Sequence, residues 1–380
     1  MLNFDLSILK GLRIEKITWA QLTFKRPRSA GKNARLDVHG ASGAVPLARI
    51  EAGGVSGFGW CTISKKEAQN IVGTPISAMF CENNMLKKPF RGLEFPLLDW
   101  LGHITNKPVY ELVAKNPAAL TGDGYAAPVY DTSIYFDELH IDDDKEAVNF
   151  ILEEVKQGMA GGHANFKIKI GRPGMWMDLE RGLRRDVDIV LAIRGLVGEG
   201  SKLMVDANNG YNLNITKSFL AATKSAKLHW IEEAFHEDDM LYANLKQWTK
   251  DNEINTLIAD GEGYACPAIV DWAKKGLVDV LQYSLRYYGF FNWLELAHEL
   301  EDYGIKYAPH NYGGFYGNYV QAHFASATDN FEFAEFDTAA VEGIDTSAYR
   351  IESGMLIAPK DYGFGMKLDA DVLKDKGWVV

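Results

Sequence analysis

Three short apolar runs, each ending in acidic residues, organise the sequence between residues 203 and 262. Their sequences are Leu203-Met204-Val205-Asp206, Leu228-His229-Trp230-Ile231-Glu232-Glu233 and Thr256-Leu257-Ile258-Ala259-Asp260-Gly261-Glu262. Asp206 lies 26 residues before Glu232, and Glu232 lies 30 residues before Glu262, which is about the length of one strand–helix–strand unit. The runs therefore predict successive parallel strands of a barrel, with an acid at the end of each strand.

Carboxylates at the ends of neighbouring parallel strands would meet at one face of such a barrel. Like charges at that distance repel, so the natural occupant of the cluster is a hard divalent cation. Oxygen ligands favour Mg²⁺, with Mn²⁺ as an alternative, over zinc. We therefore predict a metal site formed by Asp206, Glu232 and Glu262. Glu262 is preferred to Asp260 as the third ligand because Gly261 lets the backbone turn at the strand end.

The composition is typical of a globular protein with two domains. The chain has 380 residues, 47% of them hydrophobic, and a formal net charge of −11, and this length exceeds what one simple core usually holds. The acidic balance argues against broad binding to nucleic acid or anionic membranes. The three cysteines form no close pair, and no apolar run approaches the ~20 residues of a membrane span. We expect a cytoplasmic protein without nucleic-acid or membrane partners.

Secondary-structure patterns divide the chain into three parts. Residues 1–122 combine β-prone runs with helical stretches and predict an α+β domain. Residues 123–340 alternate eight predicted strands with helices, which matches an α/β fold of the (β/α)₈ barrel type. Residues 341–380 have no place in that barrel and are predicted to pack back onto the first domain.

The segment from residue 24 to residue 35 is rich in cations. It holds five cationic residues together with Gly and Pro, and it has no hydrophobic periodicity. The segment is either a solvated hairpin loop or a flexible lid over an anionic substrate, and its charge is opposite to that of the whole protein. Lys25, Arg26 and Arg28 are therefore candidate substrate-binding residues.

Two lysines and a histidine lie at other strand ends, where barrel active sites are found. Lys167 and Lys169 are two residues apart on one predicted strand, so both face the same side. Either they pair with acids, or one is a base whose pKa is lowered by its cationic neighbour and the metal. His310 follows the predicted seventh strand, across the barrel, and the Asn311 and glycines after it favour a catalytic role over a structural one.

Short motifs follow one another along nearly the whole chain. They are Leu98-Asp99-Trp100-Leu101-Gly102 with Lys107-Pro108-Val109-Tyr110-Glu111-Leu112, Lys167-Ile168-Lys169, Val205-Asp206-Ala207-Asn208, Trp230-Ile231-Glu232-Glu233, Gly261-Glu262, Pro309-His310-Asn311 and Gly363-Phe364-Gly365. In this order they resemble the enolase superfamily, in its mandelate racemase subgroup. The resemblance implies a modified (β/α)₇β barrel, a capping domain built from the N-terminal region and the C-terminal segment, and a homo-oligomer.

The same resemblance implies a chemistry. Mg²⁺ would sit on the three carboxylates, and the proton α to a substrate carboxylate would be removed. Lys169 and His310 would be the acid/base residues on opposite faces of the substrate, and Glu335 would hold the substrate carboxylate or stabilise the enediolate. Independently of the family, a dianionic enediolate is hard to form, and a divalent ion with Lys167 beside its oxygens would lower that barrier.

The end of the sixth strand departs from the family pattern. In the subgroup an Asp at this place commonly orients the histidine of the seventh strand, but residues 282–286 are Gln-Tyr-Ser-Leu-Arg. Ser284 could form only a weaker hydrogen bond to His310. We therefore expect His310 to act as an acid that protonates a departing β-hydroxyl, not as a strong base. Ser284 and Asn208 complete the candidate substrate-binding residues.

These observations predict an acid-sugar dehydratase that produces a 2-keto-3-deoxy acid. The cationic segment and the polar strand ends suit a small, hydroxylated, anionic substrate. One alternative is a racemase or epimerase of a 2-hydroxy acid or a similar carboxylate, which needs competent bases on both faces. A second alternative is a metal- and ligand-binding homologue with little turnover.

Overall fold

The N-terminal region is an antiparallel sheet followed by short helices in the computed structural model, which describes residues 2–380. Its elements are β1 (Lys16–Ala30), β2 (Gly40–Ala52), β3 (Val55–Trp60), α1 (Lys65–Ile71), α2 (Ile76–Met79), α3 (Glu94–Thr105) and α4 (Val109–Val113). β2 lies between β1 and β3. Burial alternates along β1, where Leu22, Phe24 and Arg26 are buried and the residues between them are exposed. One face of this sheet therefore packs inward.

The buried carboxylate of Asp99 joins three parts of the chain. It lies on α3 and accepts hydrogen bonds from the backbone N–H of Phe58 on β3, at 2.9 Å, and of Phe364, at 2.8 Å. Burial raises the pKa of Asp99 to about 6. This residue explains why the Leu98–Gly102 and Gly363–Gly365 motifs occur together, because one binds the backbone of the other.

The region after residue 124 alternates strands with helices. The elements are β4 (Tyr125–Ile134), α5 (Asp144–Ala160), β5 (Phe166–Lys169), α6 (Leu179–Val197), β6 (Leu203–Asp206), α7 (Leu213–Ala222), β7 (Trp230–Glu232), α8 (Asp239–Asp251), β8 (Leu257–Asp260), α9 (Ile269–Lys274), β9 (Val280–Leu281), α10 (Leu285–Tyr288), α11 (Phe290–Glu299), β10 (Lys306–Tyr307), α12 (Phe315–Ala325) and β11 (Ala334–Phe336). The strands β4 to β10 pair in parallel in sequence order, and β11 pairs in parallel with β4. The ring is completed by a parallel bridge between Tyr307 and Phe331. The predicted α/β barrel with an N-terminal capping domain is thus confirmed.

A layer of side chains fills the barrel below the strand ends. One residue from each of seven strands or strand flanks forms it: Tyr130, Met204, Trp230, Ala259, Val280, Ala308 and Phe333. Such a layer makes the barrel a packed core and leaves chemistry to the C-terminal face. The predicted site residues lie at that face.

The C-terminal segment contacts both the barrel and the N-terminal sheet. Its strands are β12 (Ala340–Val341), β13 (Ile344–Asp345), β14 (Arg350–Glu352), β15 (Met355–Ala358), β16 (Lys367–Leu368) and β17 (Gly377–Val379). β12 and β17 pair with β1, as the sequence predicts, but β15 pairs antiparallel with β4 of the barrel. β15 can pair there because β4 offers a free edge at its N-terminal end, before the residues that pair with β11.

The cationic segment is largely a strand and not a loop. β1 continues through Lys25, Arg26 and Arg28 to Ala30, because β2 and β12 satisfy its backbone groups. The connection to β2 is reduced to residues 31–39. The interpretation of the whole segment 24–35 as a hairpin loop or flexible lid is corrected accordingly. Among residues 2–380, no helix is long and apolar enough to cross a membrane.

Candidate active site

Three carboxylates meet at the C-terminal ends of neighbouring strands. Asp206 ends β6, Glu232 ends β7, and Glu262 follows β8; each offers an oxygen within 4.8 Å of the others. Asp206 and Glu232 are fully buried. The structure thus brings together the three acids that the sequence singles out.

The charge of this cluster and one oxygen without a hydrogen-bond partner fit a divalent cation. Four acids, including the nearby Glu335, face two lysines, so ionised carboxylates exceed lysine charges by two. Oε2 of Glu262 is buried and has no hydrogen-bond partner among residues 2–380. Burial and repulsion from Asp206 and Glu262 raise the pKa of Glu232, although Lys167 lowers it. A hard cation with oxygen ligands would match both the surplus charge and the free oxygen.

Asp260 and Glu233 lie beside this cluster and are held by other side chains. Asp260 accepts a hydrogen bond from the Tyr242 hydroxyl at 2.6 Å, and burial raises its pKa to about 7. Glu233 accepts hydrogen bonds from the side-chain amides of Asn208 and Asn209, at 3.0 and 2.8 Å, and burial raises its pKa to about 10. Asn208 therefore orients an acid next to the cluster, and its own Oδ1 is left without a partner.

Lys167 and Lys169 are both buried and both pair with acids. The Nζ atom of Lys167 lies 2.6 Å from Glu232, 2.9 Å from Glu335 and 3.6 Å from Asp206. Lys169 binds Asp206 directly. Lys167 is therefore enclosed by three carboxylates, whereas Lys169 has one such partner and is the freer of the two.

The pKa values of both lysines lie above the usual value. Burial lowers the pKa of Lys169, and Lys167 lowers it further, but Asp206, Glu262 and Glu232 together raise it by more. For Lys167, Glu232 and Glu335 outweigh burial in the same way. The carboxylates of the cluster thus stabilise the ammonium forms of both lysines. A lysine pKa lowered by its cationic neighbour and a bound metal stays a prediction.

Glu335 stays ionised next to Lys167. Burial raises the pKa of Glu335, but Lys167 and His310 lower it. Hydrogen bonds from the Asn311 N–H at 2.6 Å and the Thr132 hydroxyl at 2.7 Å lower it further. The net pKa lies below the usual value. In this geometry both oxygens of Glu335 are engaged by the protein, and its charge is matched by Lys167.

His310 and Lys169 contact different carboxylates of the cluster. Nε2 of His310 is 3.2 Å from Oε2 of Glu262, whereas Lys169 contacts Asp206. Nδ1 of His310 is buried and has no hydrogen-bond partner among residues 2–380. Ser284 does not supply one: a backbone bridge joins it to His310, and its hydroxyl caps α10 by accepting from the Tyr287 N–H at 3.5 Å. The suggested Ser284 side-chain hydrogen bond to His310 is not formed.

The cationic candidates of β1 have different surroundings. Arg26 is buried and makes two hydrogen bonds to Asp337, at 2.8 and 2.6 Å. Arg28 donates to Ser133 and lies 3.4 Å from Glu154. Lys25 is exposed, and none of these three residues contacts the carboxylate cluster.

Removing Arg26 is expected to destabilise the protein by about 3–5 kcal/mol, because Asp337 would stay buried without its partner. Urea unfolding of Arg26→Ala would measure this loss. Lys25→Ala, a neighbouring exposed cation on the same strand, is the matched control and should change stability by at most ~0.5 kcal/mol. Equal unfolding midpoints for the two variants would contradict the structural role given to Arg26.

Two residues at the site, Gln282 and His39, are not identified by any motif or periodicity in the sequence. Gln282, at the end of β9, donates to Oε2 of Glu232 at 2.7 Å and so orients a carboxylate of the cluster. His39, from the N-terminal region, lies near Lys169. Gln282 stands where the family pattern prompted a search for an Asp, and His39 lies outside every periodic run.

Fold and site together define an α/β-barrel enzyme of the metal-dependent type. Comparison of this chain with known proteins supports that class. The family model described as "Enolase C-terminal domain-like" matches residues 151–372, more than half of the chain. The chain therefore belongs to the enolase superfamily, and the resemblance drawn from its motifs is confirmed.

Similar proteins include dehydratases named for acid sugars. A galacturonate dehydratase from Geobacillus sp., solved with D-galacturonate and 5-keto-4-deoxy-D-galacturonate, is 44% identical, with a TM-score of 0.93 over 97% of this chain and 98% of that chain. A mandelate racemase/muconate lactonizing protein from Geobacillus sp. Y412MC10, solved with magnesium and tartrate, is 44% identical with a TM-score of 0.97 over 100% of both chains. An arabinonate dehydratase from Saccharolobus solfataricus is 24% identical over 75% of this chain and 70% of its own.

Proposed function

We propose that this protein is a Mg²⁺-dependent acid-sugar dehydratase that converts a polyhydroxylated carboxylate to its 2-keto-3-deoxy product, counted from the carboxylate. One observation carries the proposal: Lys169 contacts Asp206 and His310 contacts Glu262, so two residues able to transfer protons lie at different carboxylates of one cluster. A substrate whose carboxylate lies at this cluster would present its α-carbon between a potential base and a potential acid.

Each protein group has a defined task in this reaction. Asp206, Glu232 and Glu262 would hold the cation. When bound, Mg²⁺ supplies positive charge to the substrate carboxylate and offsets the acids that hold the lysine pKa values high. Lys169 removes the α-proton, and Lys167 places a fixed positive charge beside the developing negative charge.

Elimination then needs only one further proton. The electron pair from the broken C–H bond forms the double bond as the β-carbon–oxygen bond breaks, and His310 gives its proton to the departing hydroxide, which leaves as water. The resulting enol takes up a proton on the β-carbon, loses its hydroxyl proton to solvent and becomes the 2-keto acid. Lys169 later returns its proton to solvent, and His310 regains one.

The surroundings of His310 favour dehydration over racemisation. Racemisation requires a strong base on each face, and a basic imidazole is usually held by an acceptor on its second nitrogen. Nδ1 of His310 has no such partner among the described residues. A proton donor needs less: the imidazolium has only to give up a proton at the moment the hydroxide leaves.

Assays with a panel of acid sugars test this function. Purified protein with Mg²⁺ is incubated with aldonates, aldarates and uronates, including D-galacturonate and D-arabinonate, and 2-keto acid is measured. We expect keto acid from at least one hydroxylated acid. Inversion of configuration without keto acid would instead assign a racemase or epimerase, and metal-dependent binding without any reaction would assign a binding protein.

Replacement of His310 separates removal of the α-proton from loss of the β-hydroxyl. We expect His310→Asn to lower keto-acid formation about 100-fold, because general-acid assistance is lost, while exchange of the α-proton with solvent continues through Lys169. His298→Asn is the matched control, since that histidine is exposed. If the variant loses both α-proton exchange and keto-acid formation, His310, and not Lys169, is the base.

A further inference from the structure

The loop that connects β1 to β2, residues 31–39, lies over the ends of the first two barrel strands. The backbone N–H of Phe136, which follows β4, donates to the carbonyl of Lys32 at 2.9 Å. The indole N–H of Trp176, after β5, donates to the carbonyl of Asn33 at 2.6 Å. We call this segment the docked loop. The N-terminal domain therefore reaches the active-site face through two hydrogen bonds from the barrel.

Close packing holds the tip of the docked loop. Ala34 is buried against Gly171, after β5, and Gly210, after β6. A Cβ atom at Gly171 or Gly210 would lie 2.6 or 2.4 Å from the Ala34 Cβ, closer than van der Waals contact allows. Glycine at both positions therefore permits the loop to approach the barrel, and the loop is seated where its last residues can meet a ligand.

His39 is the last residue of the docked loop and lies beside the proposed base. Its ring centre is 5.1 Å from the ring centre of Tyr135 and 5.1 Å from that of Tyr312. Nζ of Lys169 lies 5.5 Å from the same Tyr135 ring. Nδ1 of His39 is 2.6 Å from the carbonyl oxygen of Gly31. The imidazole is therefore fixed by two aromatic rings and one hydrogen bond on the Lys169 side of the site.

The hydrogen bond to Gly31 decides which ring nitrogen carries the proton. A carbonyl oxygen only accepts, so Nδ1 must be protonated, and Nε2 of the neutral ring is an acceptor. Burial lowers the pKa of His39, and Lys169 and Arg26 lower it further, against the raising effect of the Gly31 carbonyl. The ring is therefore neutral near pH 7, and Nε2 makes no hydrogen bond to residues 2–380.

We propose that His39 is a specificity-determining residue whose Nε2 accepts a hydrogen bond from a hydroxyl of the acid-sugar substrate. This inference rests on the proposed function and names how that site would select a polyhydroxylated acid. A neutral acceptor without a protein partner, held in place on the Lys169 side of the site, is matched to a sugar hydroxyl. A site built to bind a hydroxyl discriminates strongly against analogues that lack it.

Three substitutions separate a substrate contact from a structural one. His39→Asn keeps an N–H close to the Nδ1 position, which can still donate to Gly31, and removes the acceptor at Nε2. His39→Gln places an amide near the Nε2 position and loses the Nδ1 donor. His39→Phe keeps only the ring. A substrate contact predicts that Asn and Phe lose activity and that Gln retains part of it; a structural role predicts that Asn is spared.

The decisive measurement is kcat/KM for the best acid-sugar substrate and for deoxy analogues that each lack one hydroxyl other than those on the α- and β-carbons. We expect His39→Asn to lower kcat/KM about 10- to 100-fold for the parent sugar. For one analogue, the variant and the wild-type protein should be equal, because the lost partner is already absent. This cancellation is not expected from a structural defect.

Two outcomes overturn the inference and are distinguishable from each other. A penalty of the same size for every analogue, or no penalty at all, would remove His39 from substrate recognition while the wild-type protein still dehydrates the parent sugar. If the wild-type protein dehydrates no acid sugar, the proposed function fails, and the inference fails with it.

Discussion

Lys169→Arg should lower turnover about 10⁴-fold while leaving the protein folded, because the substitution keeps the charge beside Asp206 and removes the base. A guanidinium is not deprotonated at the pH of the assay, whereas an amine can accept the α-proton. Positive charge next to Asp206 is retained, so the carboxylate cluster is not left with an unpaired member. The loss should appear in kcat for keto-acid formation and equally in the exchange of the α-proton with solvent.

Lys224→Arg is the matched control, since this lysine is half exposed and pairs with the exposed Glu253, outside the carboxylate cluster. It should retain full turnover. Unfolding curves for the two variants should have similar midpoints, which shows that the Lys169 effect is chemical. Turnover by Lys169→Arg within tenfold of wild type would contradict the assignment of Lys169 as the base.

Removal of divalent metal should abolish turnover and lower the stability of the protein. The cluster of Asp206, Glu232 and Glu262 is buried, so chelation would leave its like charges without a central cation. A ligand present at 100 times its Kd stabilises the folded state by about 2.7 kcal/mol. Addition of Mg²⁺ to the chelated protein should therefore raise the melting temperature by several degrees and restore turnover.

A substitution at the cluster makes this prediction specific. Glu262→Gln removes one carboxylate charge, keeps the shape of the side chain, and should raise the Mg²⁺ concentration needed for half-maximal stabilisation. Glu253→Gln, at a carboxylate whose side chain is 91% exposed, is the control and should leave the Mg²⁺ response unchanged. Melting temperatures that do not respond to Mg²⁺ in the unmodified protein would contradict a metal site at these residues.

The barrel and its acidic strand ends are predictable because their signals are local. An apolar run followed by an acid identifies both a buried strand and a residue at its end, as at Val205-Asp206 and Ile231-Glu232. The two-residue spacing of Lys167 and Lys169 places both on one face without knowledge of any distant contact. These features require only the strand period and the rule that barrel sites lie at the C-terminal face.

Features that depend on distant partners were not predictable. Arg26 is 311 positions from Asp337, and its burial in a strand follows from that pairing. β1 continues into the cation-rich segment because β12, from the other end of the chain, pairs with it at Phe24 and Lys25. The role of Ser284 depended on local geometry, since its hydroxyl caps the helix that starts at Leu285. For Arg26 and for β1, a tertiary contact outweighed the composition of the segment.

The most direct test of the proposed chemistry is a reaction in D₂O, with Mg²⁺ and the best acid sugar, followed by NMR and mass spectrometry. The proposed mechanism predicts a 2-keto-3-deoxy product with one solvent deuterium on the carbon that lost its hydroxyl. The wild-type protein should form this product, and Lys169→Arg should not. Deuterium at the α-carbon of inverted substrate, with no keto acid formed, would contradict it.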